Sequence, residues 1–487
     1  MMSIEEIKEV RLKKLEMIKA FPMDPYPAKV ERDFWLSEVK ENFKKFEAEE
    51  KNISIVGRVM TVRGQGAILF CVLNDGTASF QAVFKKDEIK EELFKLFVDA
   101  IDMGDFLQVS GTLFVTQKGE ESLLVKDWKI LSKSLLPMPE KWAGIQDDET
   151  RLRKRYLDLL LDNEKRDIFY KKAKFWEATR EFLKQKGFLE IETPTLEVTT
   201  GGAEANPFKT HHKDFDLDVF LRISVGELWQ KRLMAGGFSK TFEIGRVYRN
   251  EGSSPEHLQE FTNMEFYSAY SDYNDGMNLV QDLYRYIAKE VFGRTDFETR
   301  GHKFDLAKEW EKIDYISKVK DVTGIDVLSA SESEMKAKLT ELGVEYDGEN
   351  RERLVDTLWK YCRKTISGPA FLINHPKIVS PLSKSMKDNP ELTERFQVII
   401  AGSELGNGFS ELNDPIDQEE RFKVQEELIE RGDDEAMMAD HEFVEMLEHG
   451  MPPTCGFGFG ERFFAFLMDK PIRETQLFPL VKPRTDN

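Results

Sequence analysis

The stretch FEIGRVYRNEGSSPEHLQEFTNMEF, residues 242–266, decides how the second half of the chain folds. The segments KTFEIGRVYR and EFTNMEFYSAY alternate apolar and polar side chains, as half-buried strands do, and the polar loop NEGSSPEHLQ joins them. The pattern predicts two antiparallel strands with polar and aromatic side chains on or beside one loop: Arg249, Glu251, His257, Phe261 and Glu265. An arginine suits a phosphate, an aromatic ring can stack on a purine, and a carboxylate can accept from an exocyclic amine. From composition alone, an ordinary hairpin with surface charges is an equally good interpretation.

Strand-like and helical segments alternate around this hairpin from residue 148 onward. A long helix is predicted over 163–186, and strands are predicted at FLEIETPTL, DVFLRIS and RFQVIIAGSELGNGFSEL. The segment 306–370 is polar, and its pattern predicts a helical insertion. Consecutive strands joined by short turns favour a large antiparallel sheet covered by helices, which is an α+β architecture.

The first part of the chain has a different texture. Helices are predicted over 3–20 and 32–50, followed by short β-rich segments that Gly and Asp-Gly turns separate. A helix near 87–100 precedes the fourth of five strands, which is the element order of an OB-fold barrel. The predicted organisation is an N-terminal helical segment (1–50), an OB-fold domain (51–135), a linker (136–147) and an α+β domain (148–487).

Composition limits the possible function. The chain has 487 residues, 40% of them hydrophobic and 33% charged, and no apolar run approaches the roughly 20 residues that cross a bilayer. Its cysteines, Cys71, Cys362 and Cys455, lie far apart, which indicates a reduced, cytoplasmic setting and speaks against a zinc site. The net charge of −19 argues against a surface that grips nucleic acid everywhere, but it leaves room for local basic patches.

The hairpin also carries a family resemblance. The sequence GRVYRNE, a loop with histidine, and then EFTNME resemble motif 2 of class II aminoacyl-tRNA synthetases. Segments along nearly the whole chain resemble the lysyl-tRNA synthetase family at matching order and spacing, among them GFLEIETPTL, GGAEANPFKTHH, SPLSKSMKDNPELTERF, GNGFSELNDPIDQEERF, GDDEAM and LEHGMPPTCGFGFGERF. The resemblance implies ATP-dependent ligation of L-lysine to tRNA(Lys) through a lysyl-adenylate, with Mg²⁺ as cofactor, by a cytoplasmic homodimer that serves translation.

The resemblance also implies an ATP site. The matching positions are Arg249, Glu251, His257, Phe261, Glu404 and Arg462. Arg249 and Arg462 would bind phosphates and act in catalysis, and Phe261 would stack on adenine. Glu251 would lie near the base, His257 near the triphosphate, and Glu404 would bind Mg²⁺. Pro194, in the motif 1 match, would lie at the dimer interface.

The amino-acid pocket implied by the resemblance consists of Gly202, Glu227, Glu265, Tyr267, Asn407 and Glu411. Glu227 would bind the α-ammonium, and Glu411 with Tyr267 would bind the ε-ammonium, with Glu265 beside them. Asn407 would bind the carboxylate. Three glutamates that converge would repel one another until a cation arrives, because an unpaired buried charge is costly.

Four positions of the OB segment match the family's anticodon-reading residues: Arg63, Phe70, Gln81 and Glu120. Phe70 would stack on the central base, and Gln81 and Glu120 would read base edges. Arg63 is predicted to lie in the loop before the strand of Phe70. Without the resemblance, packing in the barrel core is the better interpretation of Phe70.

The sequence departs from the family pattern at three places. Gln397 stands where a second metal-binding glutamate is usual, which puts the number of Mg²⁺ ions in doubt, because an amide neutralises less charge. RISVGEL has one residue more than usual before Glu227, and Glu461 replaces an aspartate.

Three other functions compete with lysine–tRNA ligation. An aspartyl or asparaginyl synthetase shares the architecture, but the pair Glu265 and Glu411 suits a cation better. A paralogue that lysylates a protein would lack the OB segment. A synthetase-like regulatory protein without activity would not need to keep Arg249, Glu404 and Arg462. The glycines of GFGFG do not lie in the βαβ context that a dinucleotide-binding fingerprint requires.

Overall fold

The computed structural model describes residues 2–139, 147–203, 205–252, 254–346, 350–432 and 436–483. The chain divides into two compact units, Met1–Arg151 and Leu152–Asn487. Most of the predicted linker 136–147, and residues 433–435 of the segment GDDEAM, lie outside the described residues.

The first unit contains a closed barrel with strand order β1-β2-β3-β5-β4, which confirms the predicted OB-fold. Its helix α4 lies between β3 and β4 along the chain, as predicted. The predicted helix over 32–50 is in fact two short helices that meet at Asn42. The elements are α1 (Ile4–Ala20), α2 (Leu36–Glu41), α3 (Phe43–Ala48), β1 (Asn52–Gln65), β2 (Ile68–Asn74), β3 (Ser79–Lys85), α4 (Glu91–Ala100), β4 (Phe106–Val115) and β5 (Glu121–Ser132).

Side chains along the barrel strands point alternately into the barrel and away from it. Ile55, Cys71, Val109 and Trp128 point into a core that excludes water, while their neighbours along each strand stay on the outer face. Alternate strand residues therefore form the outer face of the barrel.

The second unit is built on an eight-stranded sheet with the order β14-β15-β16-β17-β18-β11-β10-β6 among the described residues. The pairs at its centre are antiparallel, and the outermost pairs, β14 with β15 and β6 with β10, are parallel. The strands are β6 (Leu189–Glu190), β7 (Leu196–Glu197), β8 (Lys209–His212), β9 (Leu217–Leu221), β10 (Lys240–Tyr248), β11 (Glu260–Ala269), β12 (Asp296–Thr299), β13 (His302–Asp305), β14 (Glu311–Asp314), β15 (Ala370–Pro376), β16 (Leu392–Ile400), β17 (Ser403–Ser410) and β18 (Thr454–Gly460).

Helices cover this sheet, which confirms the predicted α+β class. The helices that follow residue 147 are α5 (Asp148–Arg153), α6 (Arg155–Leu161), α7 (Asn163–Gln185), α8 (Glu227–Ala235), α9 (Tyr273–Phe292), α10 (Tyr315–Thr323), α11 (Glu332–Glu341), α12 (Arg351–Cys362), α13 (Pro415–Glu430), α14 (His441–His449) and α15 (Arg462–Leu467). The helices of the described residues include none with the length and apolarity to span a membrane.

The prediction of an entirely helical segment at 306–370 was wrong in one respect. Strand β14 lies within it and pairs in parallel with β15, so the segment begins as an edge of the central sheet. Helices α10, α11 and α12 follow and share a small core that includes Val319, Leu339 and Trp359.

The two faces of the sheet differ in chemistry. One face packs on α7 and α9 through an aromatic core that includes Phe175, Phe266, Tyr284 and Phe457. On β11 the residues next to Phe266 point the other way, toward a cavity that lies over the polar face. The fold therefore concentrates polar side chains on one side of the sheet centre.

Candidate functional site

A cavity of about 430 Å³ lies over the polar face of the sheet. The structure brings to its wall every position predicted for ATP, for lysine and for the metal: Gly202, Glu227, Arg249, Glu251, His257, Phe261, Glu265, Tyr267, Gln397, Glu404, Asn407, Glu411 and Arg462. These residues come from segments spread over more than 250 positions, so their convergence results from the tertiary fold.

Strand register sets the order of these side chains. Gly458 of β18 lies between Glu265 of β11 and Asn407 of β17, and Gly456 lies opposite Tyr267. A Cβ atom at Gly456 would lie 2.2 Å from Oε1 of Glu411 and 2.5 Å from the Tyr267 ring. The glycine run of β18 therefore provides the space that the glutamates and the tyrosine occupy, which is a different role from phosphate binding.

Gly202 lies close to Glu227 in the same way. Its φ of +88° is a conformation that favours glycine, and a Cβ atom there would lie 2.5 Å from the Glu227 Cβ and 2.6 Å from Oγ of Ser224. A larger residue at this position would displace the glutamate that begins α8.

Glu265 is held by a complete set of donors. Its Oε1 accepts from the backbone N–H of Val225 at 2.8 Å and from Nδ2 of Asn263 at 3.0 Å, and its Oε2 accepts from the Tyr267 hydroxyl at 3.2 Å. Burial, and then repulsion by Glu227, raise the pKa of Glu265 to about 7. Val225 belongs to the loop with the additional residue, so that loop fixes the position of Glu265.

Lys231 on α8 is a residue of the site that the sequence reasoning missed. Its Nζ lies 2.9 Å from Oε1 of Glu227 and 2.6 Å from Oε2 of Glu411, and its side chain is 1% exposed. The two glutamates raise the pKa of Lys231 although burial opposes them. The spacing Glu227 to Lys231 is the usual one for a surface pair on a helix, so the sequence contains no signal that this pair is buried.

Glu411 is buried at the end of the cavity with spare capacity to bind a cation. Lys231 contacts its Oε2 at 2.6 Å, and its Oε1 has no hydrogen-bond partner among the described residues. Burial raises the pKa of Glu411 to about 8; Lys231 opposes this shift, and Glu227 and Glu265 add to it. The walls here include the apolar side chains Phe409 and Met437, which suit an aliphatic chain.

Two arginines mark the other part of the cavity. The guanidinium of Arg249 lies 5.4 Å from the centre of the Phe261 ring, and its Nε is 3.4 Å from the carbonyl oxygen of Ile223. Arg462, the first residue of α15, donates to the carbonyl oxygen of Glu404, and its Nη1 lies 3.6 Å from Glu256. Both suit phosphate oxygens.

His257 and Glu251 line the same part of the cavity, on the loop between β10 and β11. Nδ1 of His257 lies 2.8 Å from the Ser254 hydroxyl. Burial and the charge of Arg462 lower the pKa of His257, which favours the neutral form of the ring.

The carboxylate of Glu404 is held by helix α12. Its Oε1 accepts from the indole Nε1 of Trp359 at 2.7 Å and lies 3.6 Å from Nε of Arg363, while Oε2 has no hydrogen bond to a described residue. Oε1 of Gln397 lies 3.2 Å from Nε2 of the buried His375. Trp359 and Arg363 lie more than 40 positions from Glu404, and no sequence motif indicated them.

Groups of three or more His, Cys, Asp or Glu side chains that could hold a metal ion are absent from the described part of the chain. Glu404 therefore offers one carboxylate oxygen, and Gln397 an amide oxygen already engaged by a histidine. Such a set suits an ion that takes most of its ligands from phosphate and water, as Mg²⁺ does.

Pro194 does not line the cavity. It is exposed, and it follows Thr193, whose hydroxyl donates to Oε2 of Glu243 at 2.6 Å. The same glutamate pairs with Arg222 at 2.6 Å. Leu189, Leu196 and other apolar side chains near Pro194 are also exposed.

Three of the predicted nucleotide-reading residues, Arg63, Phe70 and Gln81, lie on the outer face of the barrel, and Glu120 is exposed in the turn between β4 and β5. Phe70 pairs with Arg63 across β1 and β2, and it is partly exposed rather than a core residue. The prediction of Arg63 in a loop was wrong, because β1 continues to Gln65. Gln81 donates to the Ser122 hydroxyl at 2.8 Å, and Ser122 donates to the carbonyl oxygen of Glu120 at 3.2 Å, which links these positions into one surface.

Comparison with known proteins identifies the families of both parts of the chain. Residues 147–482 match the family model of class II tRNA synthetases (D, K and N), and residues 53–131 match that of the OB-fold nucleic acid binding domain. The chain is 42% identical to the lysine–tRNA ligase of Thermotoga maritima, over 99% of this chain and 97% of the relative. It is 42% identical to the lysine–tRNA ligase of Roseiflexus sp. over 99% and 100%, and 40% identical to that of Carboxydothermus hydrogenoformans over 99% of each.

Proposed function

The chain belongs to the lysine–tRNA ligase family of class II aminoacyl-tRNA synthetases, and we propose that its cavity joins L-lysine to ATP before the lysyl group passes to tRNA(Lys). The enzyme is an ATP-dependent ligase that serves translation. The observation that carries the assignment of its site is the convergence, in one cavity, of three glutamates at one end and, at the other, two arginines and the half-buried ring of Phe261.

The substrate lysine lies with its side chain between Phe409 and Tyr267. Its ε-ammonium pairs with Oε1 of Glu411, the buried oxygen that lacks a hydrogen-bond partner among the described residues. Its α-ammonium pairs with Glu227, and Asn407 contacts the carboxylate. A neutral side chain would leave Glu411 unpaired, which is the basis of discrimination.

ATP occupies the part of the cavity near the hairpin. Adenine stacks on Phe261, Glu251 lies near the base and His257 near the triphosphate. Arg249 binds the α-phosphate together with the lysine carboxylate, and Arg462 binds the γ-phosphate. Neutral His257 donates a hydrogen bond without adding charge.

Positioning and charge neutralisation drive the reaction. The lysine carboxylate oxygen attacks the α-phosphorus, the bond to the bridging oxygen breaks, and pyrophosphate leaves. Arg249 stabilises the negative charge that develops on the α-phosphate, and Arg462 holds the departing pyrophosphate. The tRNA 3′-terminal hydroxyl then attacks the lysyl carbonyl, and AMP leaves with the bonding electrons. No protein side chain forms a covalent intermediate.

Glu404 would hold Mg²⁺ through Oε2, and Gln397 would contribute only if its oxygen also accepts the ion. When bound, Mg²⁺ would neutralise phosphate charge. Glu404 would therefore supply the single carboxylate that we assign to Mg²⁺ in each cavity.

The barrel contributes tRNA recognition. Phe70 stacks on the central anticodon base, and Arg63, Gln81 and Glu120 contact its neighbours. The exposed apolar surface around Pro194 forms the interface of a homodimer. The three cysteines are buried free thiols, which suits a reducing cytoplasm.

The test is ATP–pyrophosphate exchange with each of the twenty amino acids, followed by aminoacylation of tRNA(Lys). We expect exchange with lysine alone. Exchange with aspartate or asparagine would contradict the assignment of the glutamates, and a lack of exchange with any amino acid would support a synthetase-like binding protein. Titration of exchange with Mg²⁺ for the wild type and Glu404→Gln, in parallel, tests the metal assignment.

A further inference from the structure

Lys231 is a charged side chain that does not line the cavity yet contacts two of its glutamates. Its aliphatic stem is enclosed, and its Nζ lies 5.3 Å from the Phe409 ring centre and 5.8 Å from that of Phe443. Glu227, Glu411 and Lys231 are 6%, 1% and 1% exposed, so water screens this cluster poorly. The charge of each member therefore affects the others strongly.

We propose that Lys231 is a specificity-determining counterion that sets the charge of the amino-acid pocket to match the two ammonium groups of lysine. The inference rests on the proposed placement of lysine in this cavity. In the lysine-bound site Glu227, Glu265 and Glu411 are ionised and contribute three negative charges, and Lys231 leaves a surplus of two. The α- and ε-ammonium groups of lysine balance that surplus, while Arg249 balances the lysine carboxylate.

The neighbouring carboxylates are engaged by other side chains. Glu243 pairs with Arg222 at 2.6 Å, and Asp440 pairs with Arg232 at 3.0 Å. Glu197 accepts from Nε1 of Trp229 at 3.0 Å and does not line the cavity. Arg395 donates to Oδ1 of Asn407 at 2.9 Å, on the side of the pocket assigned to the carboxylate. The four-residue set of three glutamates and Lys231 is therefore the unit whose charge the substrate must match.

The arrangement also explains why Glu411 can remain selective. Lys231 contacts Oε2, the oxygen away from Gly456, and Oε1 stays available for the substrate. Lys231 thus holds the carboxylate in one orientation and occupies only half of it. A second cation fits at Oε1, and a neutral or acidic side chain does not compensate for the remaining charge.

Charge balance predicts an unusual pattern for a double-mutant cycle. Glu411→Gln leaves one negative charge against two ammonium groups, so Lys231 then repels the ε-ammonium. Lys231→Met leaves three negative charges against two ammonium groups. The double variant Glu411→Gln with Lys231→Met leaves two against two, so its charge balance is restored. A residue that only packs would make the double variant weaker than either single variant.

The experiment measures the dissociation constant of L-lysine by calorimetry for the wild type, both single variants and the double variant. We expect Glu411→Gln to weaken lysine binding at least ~100-fold, because a buried charge loses its partner, and the added Lys231→Met to recover at least ~10-fold. ATP affinity, measured on the same samples, reports on folding and should change less than ~3-fold in every variant. A double variant that binds lysine no more tightly than Glu411→Gln would overturn the proposal.

A second measurement needs only Glu411→Gln and keeps the proposal testable if Lys231→Met does not fold. The probe is 6-hydroxynorleucine, in which a hydroxyl replaces the ε-ammonium. The wild type should prefer lysine, and Glu411→Gln should prefer the hydroxyl analogue, because Lys231, now paired with Glu227 alone, repels a cation and donates to a hydroxyl. Continued preference for lysine would contradict the counterion role. Wild-type pyrophosphate exchange, run in parallel, distinguishes failure of this inference from failure of the proposed lysine activation.

Discussion

Gly456→Ala tests whether the glycine run of β18 makes room for the lysine pocket. The added Cβ would lie 2.2 Å from Oε1 of Glu411 and 2.5 Å from the Tyr267 ring, whereas an ordinary carbon contact is near 3.5–4 Å. The Glu411 carboxylate and the Tyr267 ring must therefore both move by ~1 Å or more, although both residues are buried. Overpacking of this kind costs ~1–3 kcal/mol, which corresponds to ~5–150-fold in an equilibrium constant.

The effect should fall on lysine and spare ATP, because both displaced groups belong to the amino-acid end. In lysine-dependent pyrophosphate exchange we expect the KM for lysine to rise ~10–100-fold and the KM for ATP to change less than ~3-fold. Gly460→Ala is the matched control on the same strand, because its Cβ would meet Phe261 at 3.3 Å and so would perturb the adenine side only mildly. Equal increases in both KM values, or a fully active Gly456→Ala enzyme, would refute the reasoning.

Three further predictions address the charge of the pocket, the barrel and helix α12. Lysine binding should release protons at pH 7, because the raised pKa values of Glu265 and Glu411 leave protons on the empty site that the two ammonium groups of lysine expel. The affinity for lysine should therefore rise from pH 6 to pH 8. Calorimetry in two buffers of different ionisation enthalpy measures the release, and equal binding enthalpies in both buffers would contradict the prediction. Phe70→Leu should raise the KM for tRNA ~5–100-fold, since stacking contributes ~1–3 kcal/mol, and leave pyrophosphate exchange unchanged; an altered exchange rate would instead indicate a structural defect. Trp359→Phe should raise the Mg²⁺ and ATP concentrations for half-maximal exchange ~2–10-fold, because Glu404 loses a hydrogen bond worth ~0.5–1.5 kcal/mol. An increase confined to the KM for lysine would contradict the assignment of Glu404 to Mg²⁺.

Local pattern was sufficient for most of the architecture. The barrel strands alternate strongly, and Gly and Asp-Gly turns mark their ends, so their order was predictable. Strand β14 was not, because four residues with the sequence EKID contain little periodicity and become a strand only by pairing with β15. The prediction that Arg63 lies in a loop was wrong for a related reason. Strand β1 continues through Gly64, a residue type that usually indicates a turn.

The residues that line the cavity were predictable because they lie within recognisable segments, whereas those that support them were not. In the sequence, Lys231 looks like one member of an exposed ion pair on a helix. In the fold it is buried against Glu411, which lies 180 positions away. Trp359 lies in a segment that resembled an insertion, and its contact with Glu404 depends on how α12 packs against β15 and its neighbours. Buried partners of this kind are determined by long-range contacts, which a single sequence does not encode in any local pattern.

Strand β11 aligns both substrates, and this leads to a last prediction. Phe261 and Tyr267 point to the same face, six residues and therefore ~20 Å apart along the strand, with Glu265 between them. Phe261→Leu removes the aromatic surface assigned to adenine and should raise the KM for ATP ~3–10-fold, in line with ~0.5–1.5 kcal/mol for aromatic stacking.

Tyr267→Phe removes only the hydroxyl that donates to Glu265 at 3.2 Å and should raise the KM for lysine by a similar factor. Because the two side chains lie well beyond the ~7–10 Å over which substitutions usually interact, the double variant should show both increases, independently and without amplification. Pyrophosphate exchange with each substrate varied in turn measures all four enzymes. Strong coupling between the two substitutions would mean that β11 shifts as a unit. The strand would then not hold adenine and lysine at a fixed distance from each other.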